Sequence, residues 1–491
     1  MQRQIRNVGF GLVIALLLVF AKLNYVQVWA ANDIAGNNAN IRSLLREYSI
    51  KRGAILTRDF KTLARSVPNT SGRLKYRRTY PGGELYGHIT GWYSIIYGES
   101  RIEGSYHEEL LGEGGVLSMQ DIQDRFLGSG ERGDNVRTTI HSELQEAAQS
   151  ALGDERGAAV AMDPSTGEVL ALWSNPSFDP EPLAAQIGRE SRAYWESLNP
   201  ESTDTPLRNL ATTESYPPGS TFKVVTAAAA LESGRYRPDS QFPDPQQLDL
   251  PLSNETLTNF TKTSCVGGGS IDLFTALEIS CDTTFAILGL EIPGEVFDMA
   301  ERFGFNERPG FDIATEPSNF PDIPDDSEPL RAYAGIGQGD VRATPLQMAL
   351  VAATVANGGE VPRPRLVQEV IDASGGISQS FDPESLGEAF SSGTADQLTQ
   401  MMVAVVESGT GTAAQIEGIS VAGKTGTAQT GVEGENPHTW FISFAPANDP
   451  KIAVAVIVEN GGSFGSEATG GAVAAPIAKA IMEADRGIRG W

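Results

Sequence analysis

The chain has 491 residues, 40% of them hydrophobic, enough to bury more than one core and to make two folded units. Its formal net charge of -25 is unevenly divided: residues 1–133 carry 17 Lys and Arg against 12 Asp and Glu, leaving 20 against 50 for residues 134–491. So acidic a second part excludes nucleic acid as a partner, because phosphate binding needs clustered cations, and two cysteines without metal-ligand spacing exclude a disulfide scaffold and a zinc site.

At the start, Arg3 and Arg6 precede an uncharged, largely apolar run from Val8 to Ala21, followed by Lys22 and the stretch to Trp29. The run alone would span about 21 Å as a helix, short of the roughly 30 Å hydrocarbon core and typical of a signal-peptide core, with Val28 and Ala30 as small residues before a cleavage site. Extended to Trp29 it reaches about 33 Å, with Lys22 able to snorkel and Tyr25 and Trp29 in an interfacial belt. Residues 1–31 are therefore read as an uncleaved membrane anchor. The arginines ahead of it keep the N-terminus inside and send the rest out of the cell. The basic balance of the first part suits an anionic membrane surface and plain solvation equally well.

Residues 32–133 contain Arg52-Gly53-Ala54-Ile55-Leu56-Thr57-Arg58-Asp59 and the stretch from Gly98 through Arg101 and Glu103 to Tyr106, followed by Leu110 and Gly112. From Val136 the rhythm changes. Ser142–Leu152 reads as a helix, and Ala158–Met162 and Glu168–Trp173 read as strands joined by the turn Asp163–Gly167. Ser420–Gln429, Thr439–Phe444 and Ile452–Val458 read as three more strands, and Ala472–Ala484 as a closing helix. The predicted class is α/β (α+β): a five-stranded, mainly antiparallel sheet made from both ends of residues 134–491, covered by helices, with a helical insertion between.

That insertion opens with Tyr216-Pro217-Pro218-Gly219, which cannot continue a helix, and then Ser220, which can open one through the alanine-rich run to a stop at Gly234. Ser220 and Lys223 lie three apart on one helix face, a hydroxyl one turn from an amine. Such an amine takes the hydroxyl's proton once burial or a second cation lowers its pKa. Taken alone the pattern is common, and a capping serine beside a solvated lysine is its ordinary meaning. Farther on come Ser280-Cys281-Asp282 and, on a predicted strand, Lys424-Thr425-Gly426-Thr427. Cys265 and Cys281 either pair, as an exported even pair would for about 3 kcal/mol, or stay as two buried thiols.

The order and spacing of these three motifs resemble the class B penicillin-binding proteins, monofunctional and membrane-anchored, and among them the actinobacterial A type. Asp163-Pro164-Ser165-Thr166-Gly167, Asn175-Pro176-Ser177-Phe178, Gly335-Ile336-Gly337-Gln338-Gly339 and Ala343-Thr344-Pro345-Leu346-Gln347 add to the likeness. The resemblance implies the penicillin-recognising serine transferase fold over 134–491 and a non-catalytic, dimerisation-like pedestal over 32–133, in which Thr57 and Arg101 stand where acidic and glycine residues are more usual.

It further implies peptidoglycan D,D-transpeptidation. Ser220 attacks the D-Ala-D-Ala amide of a stem peptide, an amine of a second stem resolves the acyl-enzyme, and beta-lactams acylate the same serine. Lys223 is then the base, kept neutral by the charge of Lys424, and Ser280 relays the proton to the leaving amine. Thr425 and Thr427 hold the ligand carboxylate, Gly426 leaves room for a substrate strand, and the backbone N–H groups of Ser220 and Thr427 form the oxyanion hole. No cofactor and no metal are implied. Residues 32–133 are too short for a lysozyme-like glycosyltransferase, so glycan polymerisation falls to a partner, a polytopic SEDS-family glycosyltransferase.

Asp282, which the resemblance places with Thr425, Gly426 and Thr427 among the substrate-binding residues, departs from the usual asparagine, and as a carboxylate it accepts hydrogen bonds but donates none. His438 lines the cleft or sits at the surface; Trp440 packs. Two other functions stay open: a carboxypeptidase or beta-lactamase, in which water resolves the acyl-enzyme, and a catalytically weakened scaffold.

Overall fold

The computed structural model describes residues 2–26, 46–70, 74–114, 132–185, 188–324, 326–432 and 434–491. Val28, Trp29 and Ala30, which carry the cleavage-site and interfacial readings, lie outside them. Helix α1 (Gln2–Asn24) is about 35 Å long and apolar enough to cross a membrane. It begins ahead of the apolar run because the glutamines and arginines there are themselves good helix formers.

The pedestal follows with β1 (Ile55–Leu56), β2 (Thr62–Pro68) and β3 (Tyr76–Thr79), and β4 (Asn135–Thr138) comes just beyond residue 133. Its two motifs meet in the interior. The fully buried Glu103 carboxylate accepts from Arg52 Nε at 2.7 Å, Arg78 Nε at 2.6 Å and the Tyr80 hydroxyl at 3.1 Å. Three donors offset the cost of burying the charge. Arg101 sits at φ +52, a left-handed backbone that glycine adopts freely. It is held there by donating to Leu207 O at 2.7 Å and by a 3.1 Å contact with His88 Nδ1. The Thr57 hydroxyl oxygen accepts from Lys61 N at 2.8 Å and closes the turn after β1.

Next come α2 (Ser142–Leu152) and the hairpin β5 (Gly157–Met162) and β6 (Val169–Asn175), its turn closed by Gly167 N donating to Asp163 O at 2.9 Å. The helical insertion supplies α3 (Lys223–Glu232), α4 (Asp282–Glu291), α5 (Glu328–Gly335) and α6 (Pro345–Ala356). The chain then returns to the pedestal. Strands β7 (Val367–Ile371) and β8 (Ile377–Ser380) complete a six-stranded sheet in the order β8-β7-β4-β1-β2-β3, in which β1 and β4 are parallel. This sheet takes strands from both sides of residue 133.

Strands β9 (Ala422–Ala428), β10 (His438–Ala445) and β11 (Ile452–Val458) and helix α7 (Ala474–Arg489) close the chain. The central sheet runs β9-β10-β11-β5-β6, antiparallel throughout. Ala453, Ala455 and Ile457 join one core with α3 and α6, while Val454, Val456 and Val458 join the other with α2 and α7. Burial on both faces explains why β11 reads as an unbroken apolar run. The expected α/β architecture, with its helical insertion, is the observed one.

Candidate active site

The prolines before Ser220 have a structural consequence. Gly219–Phe222 forms a 3₁₀ turn, and the α-helix proper starts at Lys223, not at Ser220. Gly219 takes φ +54 and its N–H donates to Gly337 O at 2.9 Å. Trp440 Nε1 donates to Pro217 O at 3.0 Å, and Thr221 Oγ1 to Pro218 O at 2.7 Å. The turn is thus clamped from the Gly335–Gly339 stretch and from β10. Its hydroxyl is spared: Ser220 is half-buried and caps no helix, its carbonyl accepts from Lys223 N, and its Oγ makes no hydrogen bond among the described residues.

Helix α3 is buried almost throughout, so Lys223 in its first turn points into the interior with no solvent exposure. Its ammonium donates to Asp282 Oδ1 at 2.6 Å, Ser280 O at 2.9 Å and Ser280 Oγ at 3.4 Å. Lys424, equally buried, comes from β9 and donates to the same Ser280 Oγ at 2.8 Å and to Thr425 O at 3.1 Å. Ser280 itself takes φ +63, a strained conformation for a residue with a side chain, which turns its hydroxyl towards the two lysines. Four of the residues singled out in the sequence, from three distant segments, therefore share one polar cluster beside the Ser220 turn.

Burial lowers the pKa of Lys223, while the Asp282 carboxylate pulls it back up. Lys424 is pushed well below the usual lysine range by burial first and by Lys223 second. The expected division of labour has Lys424 charged and Lys223 neutral; Asp282 touches Lys223, not Lys424, and so opposes the neutral form of Lys223.

Strand β9 is an edge of the central sheet, so one side of its Lys424–Thr427 backbone has no strand partner. A side chain on Gly426 would meet Pro218 O, Thr221 Cγ2 and Trp440 Cβ, each at 3.0 Å. The room left by this glycine is taken by the nucleophile turn, not by a substrate strand as expected. The Thr425 hydroxyl shares a 2.6 Å hydrogen bond with Thr410, and Thr427 Oγ1 accepts from Gly470 N at 3.4 Å. Thr427 O and Ala428 lie against Gly219, which sets the N–H groups of Ser220 and Thr427 on neighbouring segments. His438 is half-buried against Tyr216, and Trp440 is fully buried.

Cys265 and Cys281 are joined as a disulfide beside the buried Asp244 carboxylate. Sequence reasoning missed Asn259, Phe260, Thr410 and the clamp at Gly337. Only the Gly335–Gly339 stretch had been singled out, and without a role.

The penicillin binding protein transpeptidase domain model matches residues 157–483, and the penicillin binding protein A dimerisation domain model matches residues 52–136. The chain is 40% identical over 99% of both lengths to the peptidoglycan D,D-transpeptidase PbpA of Mycolicibacterium smegmatis, and 38% identical over 99% of both to that of Mycobacterium tuberculosis. The ceftriaxone acyl-enzyme complex of penicillin-binding protein A from M. tuberculosis superposes with a TM-score of 0.85 at 38% identity, covering 90% of this chain and 99% of that one. With the motif residues gathered as described and the likeness running from end to end, the chain belongs to the penicillin-binding protein transpeptidase family, class B, A type.

Proposed function

We propose that the protein is a peptidoglycan D,D-transpeptidase acting through Ser220. The observation that carries this reading is the shared Ser280 hydroxyl, within reach of both buried lysines next to an unengaged serine hydroxyl. A free-base Lys223 takes the Ser220 proton as Oγ bonds to the penultimate D-Ala carbonyl carbon. The C–N bond then breaks, and the departing D-Ala amine receives a proton through Ser280 Oγ, replenished from Lys424. A stem-peptide amine reverses these steps and leaves a cross-link. Backbone N–H groups of Ser220 and Thr427 hold the oxyanion, each such donor contributing about 3–4 kcal/mol. Thr425 and Thr427 exchange their present partners for the terminal carboxylate of the donor stem.

Helix α1 anchors the protein in the cell membrane as a single span with the enzyme outside. On this reading glycan polymerisation falls to a separate polytopic partner of the SEDS type. Intact-protein mass spectrometry after penicillin treatment should show one adduct, lost in Ser220→Ala. An adduct surviving that change would end this reading. Product analysis with an acceptor amine separates transfer from hydrolysis: cross-linked product supports the transpeptidase, and released acid alone supports the carboxypeptidase alternative.

A further inference from the structure

We propose that Asn259 is a positioning residue of this site: together with the backbone N–H of Phe260, it holds the Asp282 carboxylate against Lys223. The inference rests on the reading of Ser220 as the acylated nucleophile. Helix α4 starts at Asp282 behind Cys281, whose disulfide-bonded side chain has no oxygen to cap it. Asn259 does so from 23 residues upstream of Asp282: its Oδ1 accepts from Asp282 N at 2.9 Å and from Thr283 N at 3.0 Å. These are two of the N–H groups that a helix start leaves unpaired. Its Nδ2 donates to Thr263 O at 2.9 Å, and the residue is 4% exposed.

The next residue completes the hold. Phe260 N donates to Asp282 Oδ2 at 3.0 Å, which leaves Oδ1 for Lys223 at 2.6 Å. The far end of the segment is fastened as well, by the Cys265–Cys281 bond and by Asp244, which accepts from Cys265 N, Val266 N and Gly268 N at 2.7–3.0 Å. The charged groups that face one another here are Lys223 on α3, Asp282 on α4 and Lys424 on β9. Among the described residues, no other charged side chain bonds to any of the three.

Without Asn259, two buried N–H groups lose their acceptor and Phe260 is released, so the carboxylate is free to leave Lys223. Burial of that lysine is then unopposed, and its neutral form appears at lower pH. An asparagine that merely braced the fold would change the melting temperature and leave this pH dependence where it is.

The test measures the second-order rate of acylation by a fluorescent penicillin against pH, on the full chain, for the wild type, Asn259→Ala, Asp282→Asn and the double variant. Both single variants should move the acid limb down by about one pH unit, a tenfold gain in rate on that limb. The double variant should move it no further than Asp282→Asn alone. Phe260→Pro, which removes the donor to Oδ2 and keeps the Asn259 amide, should shift the limb in the same direction and carries the test if Asn259→Ala does not fold. A limb unmoved in these variants, or shifts that add in the double variant, overturns the inference. A wild type that is not acylated at all refutes the transpeptidase reading instead.

Discussion

At the scale of single residues, the site is decided by which ammonium has a carboxylate. Lys223→Arg keeps the charge but cannot release a proton, so acylation should fall by about 10² to 10⁴-fold, the usual worth of a general base. Near-normal acylation of that variant would remove Lys223 from the mechanism. Asp282→Asn tests the opposite change. On the proposed mechanism acylation needs neutral Lys223, Asp282 favours its charged form across 2.6 Å, and removing that carboxylate lowers the lysine's pKa. The Asn variant should therefore acylate faster than the wild type at neutral pH. Slower acylation across the whole range would make the aspartate a working part of the chemistry. Ser220 and Lys223 were legible in the sequence because their spacing lies within one turn. The lysine's actual partners were not, because Ser280 and Asp282 lie on a different segment.

At the scale of elements, the nucleophile turn depends on glycines that let backbones touch. A side chain at Gly337 would meet Gly219 O at 2.4 Å and Phe222 Cβ at 2.6 Å, from a φ of +70. Gly337→Ala should cost at least 1–2 kcal/mol from the backbone alone and also push the Ser220 turn off Gly337 O. Its acylation rate should drop even at temperatures where circular dichroism shows a folded protein; an unchanged rate would mean that the turn does not need this clamp.

In the pedestal, Glu103→Ala strands two buried guanidinium groups and should destabilise by about 3–5 kcal/mol, read as a lower melting temperature. Burial raises the Glu103 pKa, but Arg78 and Arg52 outweigh it and hold the group below its usual value. Its stabilising contribution is therefore complete above the ordinary carboxylate range and disappears as pH falls through the lowered value. An acid-unfolding midpoint unchanged by Glu103→Ala would contradict this assignment.

At the scale of the whole molecule, the six-stranded sheet joins pedestal and transpeptidase parts, since β4 and β7 lie between β1 and β8. A chain beginning at residue 134 loses β1–β3 and uncovers the β4 edge. It should aggregate or melt lower than one beginning at residue 46, and equal stability of the two would show the shared sheet to be dispensable. Periodicity found all five strands of the central sheet, with boundaries within two residues, because each is buried on one or both faces and carries its signal in its own side chains. Helix α2 was located without error for the same reason. The two-residue β1 and the mostly exposed β8 have no such signal, and their pairing stayed hidden. By itself the sequence determined the three motifs, the fold class, the apolar N-terminal helix and the acidic charge of the second part, all of which follow from residue type and local spacing. Tertiary structure alone decided that Asp282 faces Lys223, that Gly426 makes room for the nucleophile turn, and that Asn259 reaches α4. These contacts depend on how separate elements pack together, and spacing along the chain does not encode which of them will meet.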